Sequence, residues 1–100
     1  MSDVVGVVLV GPLFPLGQLV ATPGAMEALE RNGNPIAELL ARYIQGDWGT
    51  VDQEDWHAND AAVVNGDRIL AAYNLNDGTK LWAITEADSS STCLLLPEEY

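Results

Sequence analysis

The spacing of apolar residues changes twice along the chain, and each change predicts a different kind of element. Residues 4–10 form an apolar run that is rich in β-branched side chains and contains one glycine, Gly6. Such a run is typical of a strand that is buried on both faces or at an interface. A shorter run over residues 19–21 predicts the end of another strand. The chain is therefore expected to begin with one or two strands.

Three helices are predicted between residues 22 and 66. The dipeptide Thr22-Pro23 suits the start of a helix, because threonine caps exposed backbone N–H groups and proline fits the first turn. Asn32-Gly33 ends this helix, and a second helix follows directly. Its apolar residues have the clearest helical spacing in the chain: Ile36, Leu39, Leu40, Tyr43 and Ile44. A third helix is predicted to extend from the cap Asp52 to Gly66.

After the third helix the apolar period changes to two, which predicts β-strands. Residues 68–75 and 80–85 flank the dipeptide Asp77-Gly78, a strong signal for a hairpin with a two-residue turn. Such a turn would place Tyr73 opposite Trp82. One face of the hairpin would then carry four apolar side chains: Ala71, Tyr73, Trp82 and Ile84.

A third strand is predicted over residues 91–96. We therefore expect an α+β fold, a two-layer domain in which the N-terminal strand or strands and three helices pack on a C-terminal three-stranded antiparallel meander. Residues 16–100 would form this single domain, and residues 1–15 an apolar N-terminal strand or extension. Because the second face of the meander is also apolar, we expect either the N-terminal strand or a homodimer to cover it.

The charge of the chain is strongly unbalanced, with 15 Asp and Glu against 4 Lys and Arg and a formal net charge of −11. Nucleic-acid affinity comes mostly from cations that displace phosphate counterions, so direct binding of nucleic acid is not expected. The N-terminal run is too short to span a bilayer and lacks the positive flank of a secretory signal. Together with a single cysteine, Cys93, these features favour a cytoplasmic protein with no membrane partner.

Acidic residues are concentrated between residues 47 and 67, a stretch without Lys or Arg. Asp52 is set aside as the predicted cap of the third helix. The other five acids are the candidate partner-binding residues: Asp47, Glu54, Asp55, Asp60 and Asp67. They favour a non-enzymatic protein that presents an acidic surface to a basic protein partner, as a nucleic-acid mimic does. The competing explanation is that the acidity serves solubility alone.

Catalytic chemistry would have to use His57, the only histidine of the chain. Glu54, His57 and Asp60 are spaced three residues apart on the predicted third helix, so a small hydrolase or nuclease that uses them is one alternative. This spacing is a weak metal pattern, and neither a cofactor nor a resident metal is expected. A small-ligand binder with Trp48 or Trp56 lining its pocket is the other alternative, and a position in the core is the competing interpretation of both tryptophans.

Several segments of the chain stand out together: residues 16–25 (LGQLVATPGA), 46–49 (GDWG), 77–82 (DGTKLW), 84–88 (ITEAD) and 94–100 (LLLPEEY). In this combination they resemble a group of small proteins, labelled plasmid-related or uncharacterised, that bacterial plasmids and integrated mobile elements encode. The resemblance covers about residues 16–100. No activity comes with this family, but the resemblance implies a mobile-element setting. In that setting we expect a partner from host defence or DNA processing rather than a metabolic substrate.

Overall fold

The computed structural model of the chain describes residues 12–100, so the strand predicted over residues 4–10 lies outside the described part. In chain order the elements are β1 (Gln18–Ala21), α1 (Pro23–Asn32), α2 (Ile36–Tyr43), α3 (Gln53–Asn65), β2 (Ile69–Asn74), β3 (Lys80–Thr85), β4 (Ser91–Leu95) and a final 3₁₀ turn (Pro97–Glu99). Within these residues, three helices and one four-stranded sheet confirm the predicted α+β class. Strands β2, β3 and β4 form the predicted antiparallel meander.

The sheet has the strand order β1-β4-β3-β2, so β1 and β2 are its two outer strands. Strand β1 runs parallel to β4, and the other neighbours are antiparallel. The helices pack on one face of this sheet and share one hydrophobic core with it. The largest fully buried apolar side chains of that core are Trp48, Tyr43, Tyr73, Leu81 and Leu94.

The register of the β2–β3 hairpin differs from the predicted register by one residue. Tyr73 lies opposite Leu81, and Trp82 lies opposite Ala72, so the predicted Tyr73–Trp82 pair is wrong. A shift of one residue moves a side chain to the other face of the sheet. Tyr73 therefore faces the helices, whereas Trp82 and Ile84 lie on the opposite face, and the predicted common face for these three side chains is wrong too.

The loop of this hairpin explains the shift. Gly78 N donates to the Leu75 carbonyl at 2.9 Å, and Leu75 N donates to the Thr79 carbonyl at 2.8 Å, which closes a loop of three residues instead of two. Such a loop is a type I turn followed by one residue with positive φ. Gly78 fills that position with φ of 87°.

A chain of buried hydroxyl groups ties α2 to the sheet and to the residues before β1. The Tyr43 hydroxyl lies 2.7 Å from Thr85 Oγ1, Thr85 Oγ1 lies 2.7 Å from Thr92 Oγ1, and Thr92 Oγ1 donates to the Leu16 carbonyl at 2.8 Å. Because a carbonyl only accepts, every hydroxyl must donate in the same direction, beginning with Tyr43. Burial raises the pKa of Tyr43 to about 12, so the proton required by this chain stays in place.

The predicted helix caps are confirmed, since Thr22 Oγ1 accepts from Ala25 N at 3.1 Å and Asp52 Oδ1 accepts from Asp55 N at 2.7 Å. Phe14 belongs to the residues 1–15 that were predicted to form an extension. Its side chain is nevertheless buried in the core. The hydrophobic core therefore includes at least one residue from before residue 16.

Candidate protein interface

The four cationic side chains of the protein all make their contacts away from α3. Each one contacts a polar side chain of another segment: Arg31 contacts Asp77, Arg42 contacts Asp47, Arg68 contacts Glu86, and Lys80 contacts Thr50. Four exposed acids on α3 and just after it have no cation within ion-pair distance among residues 12–100: Glu54, Asp55, Asp60 and Asp67. These four residues are named here the α3 acidic surface.

Asp47, the fifth predicted partner-binding residue, is engaged within the fold. Arg42 Nε donates to Asp47 Oδ2 at 2.7 Å, and Gly49 N donates to Oδ1 at 3.0 Å. The hydrogen bond from Arg42 is the main cause that lowers the pKa of Asp47. Arg42 also stacks on the Tyr73 ring at 4.9 Å, and the Tyr73 hydroxyl donates to the Asp47 carbonyl at 2.7 Å. The charge of Asp47 is thus offset locally, and its side chain holds the turn before α3.

Trp48 is fully buried, so its ring has no surface for a ligand in this structure. It packs between Phe14 and Tyr43, with ring centroids 5.9 Å and 5.7 Å away. Its Nε1 donates to Asp60 Oδ1 at 2.9 Å, which joins the core to one member of the α3 acidic surface. Trp56, the other tryptophan considered for a pocket, is half-buried and packs against the core. Both side chains have contacts that account for them as core residues.

Asn59, which was not predicted as important, fixes α3 to the outer edge of the sheet. Its side chain is 5% exposed. Nδ2 donates to the Leu70 carbonyl at 2.8 Å, and Oδ1 accepts from Leu70 N at 3.2 Å. Two residues along β2, Ala72 N donates to the Trp48 carbonyl at 3.2 Å and the Ala72 carbonyl accepts from Thr50 N at 2.7 Å. The outward backbone groups of β2 are therefore satisfied at both positions.

The burial of Asn59 and Ala62 sets the orientation of α3. Glu54, His57 and Asp60 follow one another at three-residue intervals on the part of the helix that remains exposed. A sequence signal for Asn59 did exist, because an asparagine that interrupts the apolar edge of a helix must find a hydrogen-bond partner once it is buried. The partner itself, a backbone group eleven residues away, has no local signal.

Among residues 12–100, His57 is an exposed residue of α3 and does not line the depression described next. A depression of about 390 Å³ lies where α1 ends and α2 begins, and its walls include Met26, Leu29 and Ile36 but neither His57 nor the acids of α3. Among residues 12–100, no three side chains of His, Cys, Asp and Glu are grouped so that they could hold a metal ion. His57, Glu54 and Asp60 therefore lie in an open, solvated arrangement on α3.

A second group that was not predicted lies on the sheet face that the helices leave open. Arg68 Nη1 donates to the Tyr100 hydroxyl at 2.8 Å, and the Tyr100 ring meets Trp82 edge-on with centroids 5.6 Å apart. Arg68 Nε lies 3.9 Å from a Glu86 oxygen. These residues come from four separate segments, so no local spacing could have predicted the group. Their contacts anchor the last described residue over the outer face of the meander.

No helix within residues 12–100 combines the length and the apolar composition needed to cross a membrane. Compared with known proteins, the chain matches no family model, no curated protein and no solved structure.

Proposed function

We propose that the protein is a non-enzymatic, cytoplasmic interaction protein of a mobile genetic element, and that it binds a basic protein partner through the α3 acidic surface. The partner is a host-defence or DNA-processing protein, whose cationic nucleic-acid site the carboxylates occupy. One observation carries the proposal: the Lys and Arg side chains contact other segments, and within residues 12–100 the acids of α3 have no cation at ion-pair distance. The resemblance of residues 16–100 to plasmid-related proteins supports the mobile-element setting.

The unpaired charge matters because it acts beyond contact distance. The 13 residues of α3 extend for about 20 Å at a rise of about 1.5 Å per residue. Along that length the field of the carboxylates is reduced by salt but not by a neighbouring arginine or lysine, and the Debye length is about 8 Å at physiological ionic strength. A surface of this kind accelerates the encounter with a cationic partner and repels other acidic proteins.

The test compares two variants that remove the same amount of charge from different surfaces. The first variant neutralises α3: Glu54→Gln, Asp55→Asn and Asp60→Asn. The amide of Asn keeps an acceptor for the Trp48 indole N–H, and Asp52 is left unchanged because it caps the helix. The control variant neutralises three exposed acids elsewhere that make no ion pair: Glu30→Gln, Glu38→Gln and Glu98→Gln.

Each protein is immobilised and used to capture partners from a bacterial host lysate at about 150 mM salt, followed by mass spectrometry. We expect the original chain and the control variant to retain the same basic protein, and the α3 variant to lose it. With the captured protein purified, the association rate of the α3 variant should be lower and less dependent on salt. Equal capture and equal salt dependence for the two triple variants would show that the α3 acids are not the binding surface.

A single substitution, His57→Gln, separates this proposal from an enzymatic function. His57 is not one of the carboxylates of the α3 acidic surface, so capture and association rates should not change. A hydrolase or nuclease that depends on its only histidine would lose orders of magnitude in rate. Loss of a measured hydrolytic activity in His57→Gln, with partner capture unaffected by the α3 variant, would replace the interaction function by the enzymatic one.

A further inference from the structure

The two outer strands of the sheet differ in whether other described residues hydrogen-bond to their outward backbone groups. The edge of β2 is closed by Asn59 and by the backbone around Gly49. In β1, Gln18 N donates to the Ser90 carbonyl, and the following Thr22 N donates to the Leu94 carbonyl, each at 3.0 Å. The backbone N–H and C=O groups of the even-numbered residues of β1 therefore point towards β4.

Alternate residues of a strand direct their backbone groups to opposite sides, so Leu19 and Ala21 direct theirs away from β4. No other described residue hydrogen-bonds to the N–H and C=O groups of these two residues.

Strand β1 also lacks the charged residues and the proline that commonly protect a sheet edge. Its four residues, Gln18–Ala21, include no lysine, no proline and no other charged residue. Leu19 is 41% exposed and Val20 is 40% exposed, although they lie on opposite faces of the strand. An uncharged strand whose outward backbone groups hydrogen-bond to no other described residue, and which has two exposed large apolar side chains, has the properties of a pairing surface.

We propose that β1 is a homodimer interface, at which β1 of a second copy of this chain pairs with it in antiparallel orientation about a two-fold axis at Val20. Leu19 would then lie opposite the partner's Ala21, and Ala21 opposite the partner's Leu19. Each of these pairs exchanges two hydrogen bonds, which uses all the outward groups of both residues. Val20 would contact the partner's Val20 directly, as a non-hydrogen-bonded pair, and so bury the exposed side chain.

The charge distribution favours a second copy at this edge over a second copy near α3. Each copy has a formal net charge of −11, so self-association is costly wherever the acidic surfaces approach each other. The α3 helix packs at β2, at the opposite end of the strand order from β1. In the paired sheet, seven strand spacings of about 4.8 Å each, or about 34 Å, would separate the two β2 strands. That distance is about four Debye lengths at physiological salt, so the two α3 acidic surfaces would hardly repel each other.

The strand offers little to select a basic peptide in place of a second copy. Glu99 contacts the end of β1 through Thr22, but its Oε1 already accepts from the Thr22 hydroxyl at 2.6 Å and from Leu96 N at 2.8 Å. By contrast, β1 is complementary to itself, because its outward groups repeat symmetrically about Val20. The buried hydroxyl chain that ends on the Leu16 carbonyl also holds the entry to β1 before any partner arrives.

Sedimentation equilibrium of the full chain tests this interface without reference to the α3 partner. The expected mass rises with concentration from 10.7 kDa towards twice that value. Because the partner's Val20 would be adjacent, Val20→Lys places two like charges together and should raise the dissociation constant at least about tenfold. The control is Val64→Lys, the same change at a side chain that is 85% exposed on α3, and it should leave dimerisation unchanged or strengthen it by reducing the net charge.

Cross-linking locates the interface even where Val20→Lys proves poorly folded. In a chain with Cys93→Ala, Val20→Cys should form an intermolecular disulfide under mild oxidation, since the Cα atoms of a non-hydrogen-bonded pair lie about 4.5 Å apart. Val64→Cys in the same background should not. A mass that stays at 10.7 kDa up to the highest soluble concentration, or equal cross-linking of the two cysteine variants, would overturn the proposal. Dissociation caused by Val7→Lys but not by Val20→Lys would instead assign the interface to residues 4–10.

Discussion

The closed edge of β2 depends on one side chain, and Asn59→Leu removes its two hydrogen bonds while keeping a side chain of similar volume. In the original chain, Leu70 N lies 3.2 Å from Asn59 Oδ1, and the Leu70 carbonyl lies 2.8 Å from Asn59 Nδ2. The substitution removes both hydrogen-bond partners of Leu70. A hydrogen bond contributes about 1 kcal/mol net, and a partly buried group left unpaired costs about 1 kcal/mol or more. We therefore expect a loss of roughly 2–4 kcal/mol, which for a domain of this size lowers Tm by roughly 10–30 °C.

Thermal and urea unfolding, followed by the fluorescence of the buried Trp48, measure this loss. Asn65→Leu is the control, because it makes the same chemical change at an exposed residue of the same helix. In a third variant, Asn59→Asp, one carboxylate oxygen can still accept from Leu70 N, but the other faces the Leu70 carbonyl. Only the protonated carboxyl can donate there, so folding raises the pKa of Asp at this position. The loss of unfolding free energy caused by the charged carboxylate is then absent below the unfolded pKa of about 3.9, and it grows as the pH rises above that value.

Two results would refute this reasoning. If Asn59→Leu melted within about 2 °C of the original chain, the amide would contribute nothing net at the β2 edge. If Asn59→Asp lost the same stability, relative to the original chain, at pH 4 and at pH 7, the carboxylate would not face the Leu70 carbonyl.

Other regions of the fold allow equally direct tests. Gly49→Ala should destabilise the protein more than Gly78→Ala, because both glycines have positive φ but only a methyl group at residue 49 would overlap the Ala72 carbonyl. Gly78→Ala should cost about 1 kcal/mol through backbone strain alone, and equal unfolding free energies for the two variants would contradict the close approach. Asp47→Asn should reduce the loss of stability in acid: the lowered pKa of Asp47 means that its pair with Arg42 stabilises the fold above about pH 4 and is lost as the pH falls through the lowered value. Urea unfolding from about pH 5 to about pH 2 measures this change, and an identical pH dependence in the variant would count against the pair.

The features that could be predicted from the sequence are those that residues three or four apart decide. Thr22 and Asp52 cap their helices as predicted, because a cap needs only its own first turn. The predicted hairpin register is wrong because the register depends on residues outside the turn. An Asp-Gly pair suits both a two-residue turn and a three-residue turn with a bulge, and the local residues do not decide between them. In the structure, the loop is held from outside: Asn76 N donates to Asn34 Oδ1 at 3.2 Å, and Asp77 N donates to Asn32 Oδ1 at 2.7 Å.

The candidate interface, too, combines features that local sequence predicts with contacts that depend on distant residues. The sequence shows a run of acids without cations, but it does not show which acids the fold engages. Asp47 accepts from Arg42 only because the turn after α2 folds back. Asp60 accepts from Trp48 only because α3 crosses the aromatic core. The Asp60 contact, like the hydrogen bonds of the Asn59 amide to β2, depends on how α3 packs on the sheet, which no local period encodes.

The two proposed surfaces have a joint consequence, because they lie at opposite edges of one sheet. A dimer formed through β1 would carry one α3 acidic surface at each end of an eight-stranded sheet. Such a molecule cannot place both surfaces on one small basic site, but it can bridge two sites on a partner that is itself dimeric or repeated along a polymer. Bridging raises the apparent affinity by about 10²–10⁴ without any new contact, provided that the geometry permits both contacts at once. Val20→Lys should therefore weaken capture of a repeated partner while leaving the association rate at a single site unchanged, whereas neutralising Glu54, Asp55 and Asp60 should reduce both.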